Sequence, residues 1–273
     1  MHIKTVGAVF TAMLLGCAPA YSQILGTASN FAVLAGTPAV TNTGPTVVSG
    51  NVGVFPAAAI TGFPPGMIVP GTGFFHRGNA VAQQAQSDTT AAYLVLAGLV
   101  SAPILPALGG QTLTPGVYNA GPATLTGTLT LDGPGLYVFQ TTSLTTAAGP
   151  GAAIISLING ATPCDVFFQV GSSASLGTFT VFQGNILALI SITLDTSASL
   201  SGRALARNGT VTLSSNQVTA CSGGTAPGFL VPPVAALAPG GKVPTLSEWA
   251  MILLAMLMAG AGIVAMRRKG ARL

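Results

Sequence analysis

The sequence predicts a mainly β protein, built as an irregular parallel β-solenoid with one long α-helix packed alongside it. Three observations support this fold class. Short strand-like segments alternate with glycine and proline turns over most of the chain. Several of these segments end in leucine after two hydroxyl residues, which indicates a weak internal repeat. A single segment has apolar residues at helical spacing instead.

The helix is predicted over residues 79–100. Asn79 is a candidate N-cap, and Pro103 and Pro106 prevent the helix from continuing. The apolar or small residues recur every three or four positions and form a narrow stripe, which predicts a helix lying close against another element for structural reasons. The stripe consists of Val81, Ala85, Thr89, Ala92, Leu96 and Leu99.

The solenoid is predicted from five repeats that end at Leu129, Leu144, Leu176, Leu200 and Leu213. Because side chains alternate along a strand, the hydroxyls one and three residues before each leucine share a face, and leucine points to the core. Stacked coils of this kind form a solenoid, and the unequal spacing of the leucines makes it irregular, with strands that need not all lie on one side. The ten hydroxyl residues are Thr126, Thr128, Thr141, Ser143, Ser173, Ser175, Ser197, Ser199, Thr210 and Thr212.

Residues 1–22 have the features of a secretory signal peptide. Lys4 is followed by an apolar core and then by small residues that suit a cleavage site. Two alternatives stay open at this end of the chain. The apolar segment could be a first membrane helix, although it is short. The sequence LLGC (14–17) also resembles a lipobox, in which Cys17 would be lipidated.

The C-terminal part is predicted to attach the protein to a membrane. Residues 223–242 form a Gly/Pro/Ala-rich linker. Residues 243–273 hold a polar motif, a hydrophobic helix over 249–266 and a basic cluster, which indicates one transmembrane helix with its basic end in the cytoplasm.

The motif VPTLSEW, with the helix and RRK after it, resembles the IPTL-CTERM sorting signal of Gram-negative bacteria. Val243 and Ala250 depart mildly from its Ile and Gly. The resemblance implies processing by an exosortase-type enzyme and delivery to the cell surface. A permanent anchor in the inner membrane is the alternative.

Charge and composition exclude several function classes. Only 5% of residues are charged, and most basic residues lie in the terminal segments, so the net charge of +4 does not indicate nucleic-acid binding. The domain predicted over residues 23–222 has four Asp, no Glu or Lys, and one histidine, His76, for which we expect a structural role. Asp132, Asp165 and Asp195 lie in turn-like contexts, where a carboxylate caps backbone N–H groups. We therefore expect no enzyme, no metal site and no cofactor.

Two further pairs of residues are predicted to stabilise the domain. Cys164 and Cys221 are its only cysteines, and an exported protein with an even pair of cysteines is expected to form a disulfide. Arg203 and Arg207 are expected to share a face of one strand. We expect them to hydrogen-bond backbone carbonyls or an acidic residue such as Asp195.

Motifs spread over residues 24–221 resemble the DUF3494 ice-binding family. They are GNVGVFP (50–56), NAVAQQAQSDTTAAY (79–93), the run from 109 to 140 and the run from 164 to 213. The resemblance implies an irregular right-handed β-solenoid with one long helix along it. Two departures are Phe168, where the family often has Trp, and Ser-Ala-Ser at 197–199, where it often has Gly-Ala-Thr.

The resemblance implies a secreted or surface-displayed protein, expected to be a monomer, that adsorbs to ice through a flat Ser/Thr-rich face. Ice is an uncharged array of water molecules, so few charges and stiff Thr side chains suit it. The ten hydroxyl residues are the predicted ice-binding residues, although another face of the solenoid could serve. A surface adhesin that binds a non-ice solid or a glycan is the alternative function.

Overall fold

The computed structural model describes residues 24–102, 105 and 107–222. The predicted signal peptide with Cys17, the linker, the C-terminal helix over 249–266, Pro103 and Pro106 lie outside the described residues. Within the described part of the chain, no helix is long and apolar enough to cross a membrane.

The described residues form one sheet of nineteen strands, one α-helix and two short 3-10 helices. The helix α1 spans Ala80–Ala97, and the 3-10 helices span Gly26–Asn30 and Pro163–Asp165. The strands are β1 (Phe31–Ala35), β2 (Ala39–Thr43), β3 (Val47–Ser49), β4 (Asn51–Val54), β5 (Ala59–Thr61), β6 (Met67–Ile68), β7 (Phe75–Arg77), β8 (Thr112–Leu113), β9 (Gly116–Leu125), β10 (Thr128–Asp132), β11 (Tyr137–Thr146), β12 (Ile154–Ile158), β13 (Val166–Val170), β14 (Ala174–Leu176), β15 (Val181–Ala188), β16 (Ile192–Leu194), β17 (Ser199–Ala206), β18 (Val211–Ser214) and β19 (Gln217–Thr219).

The strands pair in parallel and stack into three faces, so the chain winds as the predicted β-solenoid. Face A contains β1, β4, β7, β13 and the parts of β9, β11, β15 and β17 that pair with them. Face B contains β2, β5, β14, β16, β18 and the second halves of β9 and β11. Face C contains β3, β6, β8, β10, β12, β19 and the first parts of β15 and β17.

The order of the coils in space differs from their order in the chain. Strands β1, β2 and β3 pair with β17, β18 and β19, so the N-terminal coils stack on the C-terminal coil. Helix α1 contacts β7, β1, β15, β13 and β11 on face A. It therefore carries the chain along the solenoid to the opposite end, where β8 and β9 begin.

The inside of the solenoid is filled by stacked apolar side chains. All five leucines of the predicted repeat are buried, which confirms that they point inward. Phe139, Phe168 and Phe182 form an aromatic stack through successive coils, with ring centroids 4.6 and 4.9 Å apart. Phe168 is thus a core residue. Burying a side chain of this size contributes about 1.5–3 kcal/mol to stability.

The predicted helix and its N-cap are confirmed, with two corrections to the stripe. The helix ends at Ala97, before Gly98, so Leu99 lies beyond it. The Asn79 Oδ1 atom accepts the backbone N–H of Ala82 at 3.0 Å. Val81 is 50% exposed, and Ala82 occupies its place in the buried face. Val81 and Ala82 are four and three residues before Ala85, so helical spacing alone allows either of them to share its face. Alanine is the smaller residue and allows the helix to lie closer to the sheet.

A disulfide and a buried arginine hold the two ends of the domain together. Cys164 and Cys221 form the predicted disulfide. Arg203 donates through Nε and Nη2 to the carbonyl of Ser29 at 2.9 and 2.7 Å, and through Nη2 to that of Cys221 at 2.9 Å. Its Nη1 donates to Asn185 Oδ1 at 2.8 Å. Burial lowers the pKa of Arg203 to about 10, so the guanidinium stays charged at neutral pH.

Arg203 therefore bonds backbone carbonyls as predicted, whereas Arg207 has a different environment. The Arg207 guanidinium lies over the ring of Tyr93 on α1, 4.6 Å from the centroid. A cation over an aromatic face is electrostatically favourable. Arg207 thus helps to attach the helix to the solenoid.

Candidate functional site

Face B carries an unbroken row of hydroxyl side chains, which we call the central row. One outward residue from each of its seven strands stands in register with the next, and six of the seven are threonine. In spatial order the row is Thr124, Thr145, Ser175, Thr193, Thr212, Thr41 and Thr61.

The central row follows from a local pattern that recurs in all of its strands but β5. Each of its hydroxyl residues except Thr61 stands between two inward-pointing side chains, for example Ile192 and Leu194 on either side of Thr193, both of which are fully buried. The core thereby fixes the backbone from which each threonine projects. Because χ1 of a β-branched side chain is stiff, the hydroxyl and methyl groups are held in a defined arrangement.

A second row on face B lies two residues before the central row. It begins at Pro122, contains Ser143, Ser173, Ser191 and Thr210, and continues into Ala39 and Ala59. Adjacent members are linked. Ser173 Oγ accepts the backbone N–H of Ser191 at 3.3 Å, and Thr210 Oγ1 donates to Ser191 Oγ at 3.4 Å. Face B therefore has two parallel rows of small side chains, spaced by about 4.8 Å between strands and about 6.7 Å along a strand.

The seven strand segments of face B contain no Asp, Glu, Lys or Arg. Asp195, directly after β16, is the nearest acidic residue along the chain to the central row. A surface without charges holds no strongly oriented ionic hydration shells. Face B is therefore suited to an uncharged ligand rather than to a charged one.

The other two faces of the described solenoid differ from face B. Helix α1 covers face A. On face C, one outward row is mixed, and contains Thr128, Ile154, Val181, Ser199, Gln217, Val47 and Met67. The other row of face C is polar but includes Gln183 beside Ser201. Long, flexible or apolar side chains thus interrupt the regularity that face B maintains.

Two segments of the chain match known protein-family models. Residues 33–219 match the family model described as Ice-binding-like. The chain belongs to the Ice-binding-like family. Residues 243–268 match the IPTL-CTERM motif, which confirms the resemblance of the C-terminal segment.

Members of the Ice-binding-like family resemble this chain over most of the described domain. An ice-binding protein of Nostoc sp. (strain HG1) is 51% identical over 72% of this chain and 74% of its own length. The crystal structure of an ice-binding protein from an Antarctic Biological Consortium is 40% identical, with a TM-score of 0.67 over 80% of this chain and 96% of its own. That of Antarctomyces psychrotrophicus is 39% identical, with a TM-score of 0.67 over 73% and 98%.

The structure separates the ten hydroxyl residues predicted from the sequence. Five of them lie on face B: Ser143, Ser173, Ser175, Thr210 and Thr212. Thr128 and Ser199 lie on face C, Thr126 and Ser197 lie in turns between faces B and C, and Thr141 is buried where β11 passes from face A to face B.

The prediction that the two hydroxyls of a repeat share a face is confirmed for 173/175 and 210/212 and is wrong for the other three repeats. Alternation of side chains holds only within one strand, and these repeats include a corner. Gly127, between Thr126 and Thr128, and Ser197 itself have φ values of 73° and 64°, which turn the chain at the corner between faces B and C.

Sequence reasoning missed most of the central row. Thr41, Thr61, Thr124, Thr145 and Thr193 belong to it and were not among the predicted residues. A hydroxyl residue between two inward-pointing neighbours, as in Val40-Thr41-Asn42 and Ile192-Thr193-Leu194, is the signal that identifies such positions. This signal needs one hydroxyl per strand, whereas the predicted repeat has two.

The remaining polar residues singled out from the sequence have structural contacts. His76 packs on Phe31 with ring centroids 5.3 Å apart, and burial lowers the pKa of His76. Asp132 accepts a hydrogen bond from Asn159 at 2.7 Å, and Asp165 accepts one from Thr162 Oγ1 at 2.8 Å. In the described part of the chain, no group of His, Cys, Asp and Glu is arranged to hold a metal ion.

Proposed function

We propose that this chain is an exported ice-binding protein that adsorbs to ice through face B. The observation that carries the proposal is the central row, in which seven hydroxyl residues from seven parallel strands stand in register on an uncharged surface. The relatives named as ice-binding proteins support it. We propose no catalytic activity for the domain.

The chemistry of face B suits an ice surface. Ice presents a regular array of water molecules without charge, and the strand grid presents side chains at fixed intervals. A threonine hydroxyl can join the hydrogen-bond network of the water while its methyl group is removed from liquid water. Little side-chain entropy is lost because the rotamers are already restricted. Each contact is weak, so adsorption depends on many contacts formed at once.

The last described residues of the domain leave face B free of the chain that leads to the C-terminal segment. Ala220 donates its N–H to the carbonyl of Ser49, the last residue of β3 on face C, just before the chain enters β4 on face A. The described chain thus ends near the corner of faces C and A, opposite face B. We propose that an exosortase-type enzyme processes the IPTL-CTERM segment and that the domain is displayed at the cell surface.

The decisive experiment measures thermal hysteresis, the gap between the melting and growth temperatures of a single ice crystal. Residues 23–222 are a suitable protein, because relatives of this extent form crystal structures on their own. We expect faceted crystals and a gap above that of buffer. Thr193→Tyr on face B should lose the gap, and the matched variant Ser201→Tyr on face C should keep it.

Two outcomes would contradict the proposal. Round crystals without hysteresis or slowed recrystallisation in the wild type would favour adhesion to a non-ice solid or a glycan. Equal loss in Thr193→Tyr and Ser201→Tyr, with both proteins folded by circular dichroism, would show that face B is not the binding face.

A further inference from the structure

A ladder of residues with positive φ runs along the corner between faces B and C. Its members are Gly149, Phe179, Ser197, Ser215 and Gly44, with φ values of 75°, 62°, 64°, 51° and 83°. Backbone hydrogen bonds of 2.9–3.3 Å link each member to the next coil. The acceptor is in each case the carbonyl of the residue just before the next member. The N–H groups of Gly149, Phe179, Ser197 and Ser215 donate to the carbonyls of Thr178, Thr196, Ser214 and Thr43, respectively. The five residues therefore occupy one structural position in five successive coils.

Phe179 is the exception in this ladder. A left-handed φ favours glycine, and a bulky side chain in that region is a conformational outlier. The ring is 61% exposed, so most of its apolar surface is not used in the core. The fold thus accepts strain at this position for a side chain that contributes little packing. Such an outlier points to a role in function.

The surroundings of Phe179 connect it to face B. Phe179 follows β14, the strand that provides Ser175, which is the one serine in the central row. Thr180 is fully buried, so Phe179 and Val181 on either side of it point outward. Val181 pairs with Ile154, and these two side chains are 42% and 41% exposed. An apolar strip therefore begins at the edge of face B, in the coil whose central residue lacks a threonine methyl group.

We propose that Phe179 is a further ice-contacting residue, whose ring extends the contact of face B over the corner towards Val181. The proposal rests on the proposed ice-binding function of face B. Apolar surface restricts the orientation of neighbouring water without competing for its hydrogen bonds. Water held by the hydroxyl rows can then continue its ordered arrangement over the ring. The added area strengthens contact where Ser175 provides less.

The test compares three variants of the chain by thermal hysteresis at equal protein concentration and by thermal unfolding. Phe179→Ser gives this position the residue found in the next two coils, and we expect a melting midpoint that is unchanged or higher together with a loss of hysteresis. Phe179→Leu keeps an apolar side chain and should keep the hysteresis. Ser215→Gly, a matched control in the same ladder, relieves the positive φ without removing apolar surface and should leave hysteresis unchanged.

The outcomes separate this inference from the proposed function. Full hysteresis in Phe179→Ser, with loss in Thr193→Tyr, would overturn the role of Phe179 and leave face B as the binding face. Absence of hysteresis in the wild type would overturn both. If Phe179→Ser is destabilised, Phe179→Gly decides, because glycine occupies this position at Gly149 and Gly44. Loss of hysteresis in the folded glycine variant supports the role of Phe179, and full hysteresis overturns it.

Discussion

Thr41 Oγ1 donates a hydrogen bond to Thr212 Oγ1 at 3.3 Å, although the two residues are 171 positions apart in the sequence. They face each other where β2 of the N-terminal coils pairs with β18 of the C-terminal coil. The central row of face B is therefore continuous only because the N-terminal coils stack on the C-terminal coil. The same stacking is secured by Arg203, which binds the carbonyls of Ser29 and Cys221.

Thr41→Tyr and Thr212→Tyr are each expected to remove most of the thermal hysteresis. Each ring projects from the same part of the central row and prevents its neighbours from approaching ice. The double variant should show the same thermal hysteresis as the single variant with the lower hysteresis, because one ring already keeps this part of face B away from ice. Hysteresis of the three variants, measured after checking their folding, tests this. Loss of hysteresis in only one of the two single variants would show that the two threonines do not belong to one contact surface.

Much of the fold could be predicted from local patterns. The helix begins at the residue predicted as its N-cap, since Asn79 side-chain capping is a local interaction. The repeat leucines point inward because alternation within one strand determines their side. The disulfide between Cys164 and Cys221 followed from counting cysteines in an exported domain. Each of these features depends on residues that are close in the sequence or few in number.

The order of the coils and most of face B could not be predicted in the same way. Nothing in the pattern of β1 specifies that it pairs with β17 rather than with the next strand in the chain. The hydroxyls of a repeat change faces at residues such as Ser197, whose positive φ is unusual for a residue with a side chain. Pairing partners and corners are set by tertiary packing, so the single sequence places the hydroxyls only within each strand.

Asp195→Asn is expected to increase thermal hysteresis. The carboxylate follows β16 at the edge of face B and holds a hydration shell that does not match ice. The substitution keeps the shape of the side chain, and the backbone bonds of Asp195 to Leu176 and Ala198 do not depend on its charge. Asp132→Asn, which changes the net charge equally at the end of β10, should leave hysteresis unaffected. A similar change in both variants would indicate an effect of net charge instead.

Replacing both cysteines by serine is expected to reduce stability without changing ice binding. The disulfide closes a loop with a sequence separation of 57 residues. The loss of free energy of unfolding should be about 4 kcal/mol in the chain-entropy model. Serine at 221 can still accept the hydrogen bond that Arg203 Nη1 donates to Cys221 Sγ, so the variant isolates the covalent link.

Denaturant unfolding at equilibrium measures this change, and hysteresis near 0 °C provides the second measurement. We expect hysteresis to be unchanged, because Cys164 and Cys221 lie away from face B. The reduced wild type should unfold like the double variant. An equal midpoint for the oxidised wild type and the variant would show that the disulfide does not stabilise this fold.

Stability is expected to fall on acidification because of His76. Asn79 Nδ2 lies 3.2 Å from His76 Nδ1, and an amide NH2 can only donate, so the neutral ring accepts this hydrogen bond. Protonation of His76 Nδ1 would place its N–H against the Asn79 NH2 group, so two donors would face each other and the hydrogen bond next to the N-cap of α1 would be lost. Burial also lowers the pKa of His76 below its ordinary value of 6.5. As pH falls below 6.5, the unfolded chain takes up the proton first, so the folded state is progressively destabilised.

His76→Gln tests this dependence, because glutamine does not titrate and can still accept from Asn79. The wild type should lose stability between pH 7 and pH values below the folded pKa of His76, and above pH 7 the contribution of this histidine should be constant. His76→Gln should lose less over the same range, although carboxylates titrate in both proteins at still lower pH. Denaturant unfolding at several pH values gives the comparison. Parallel pH profiles for the two proteins would show that His76 does not control the stability of the helix start.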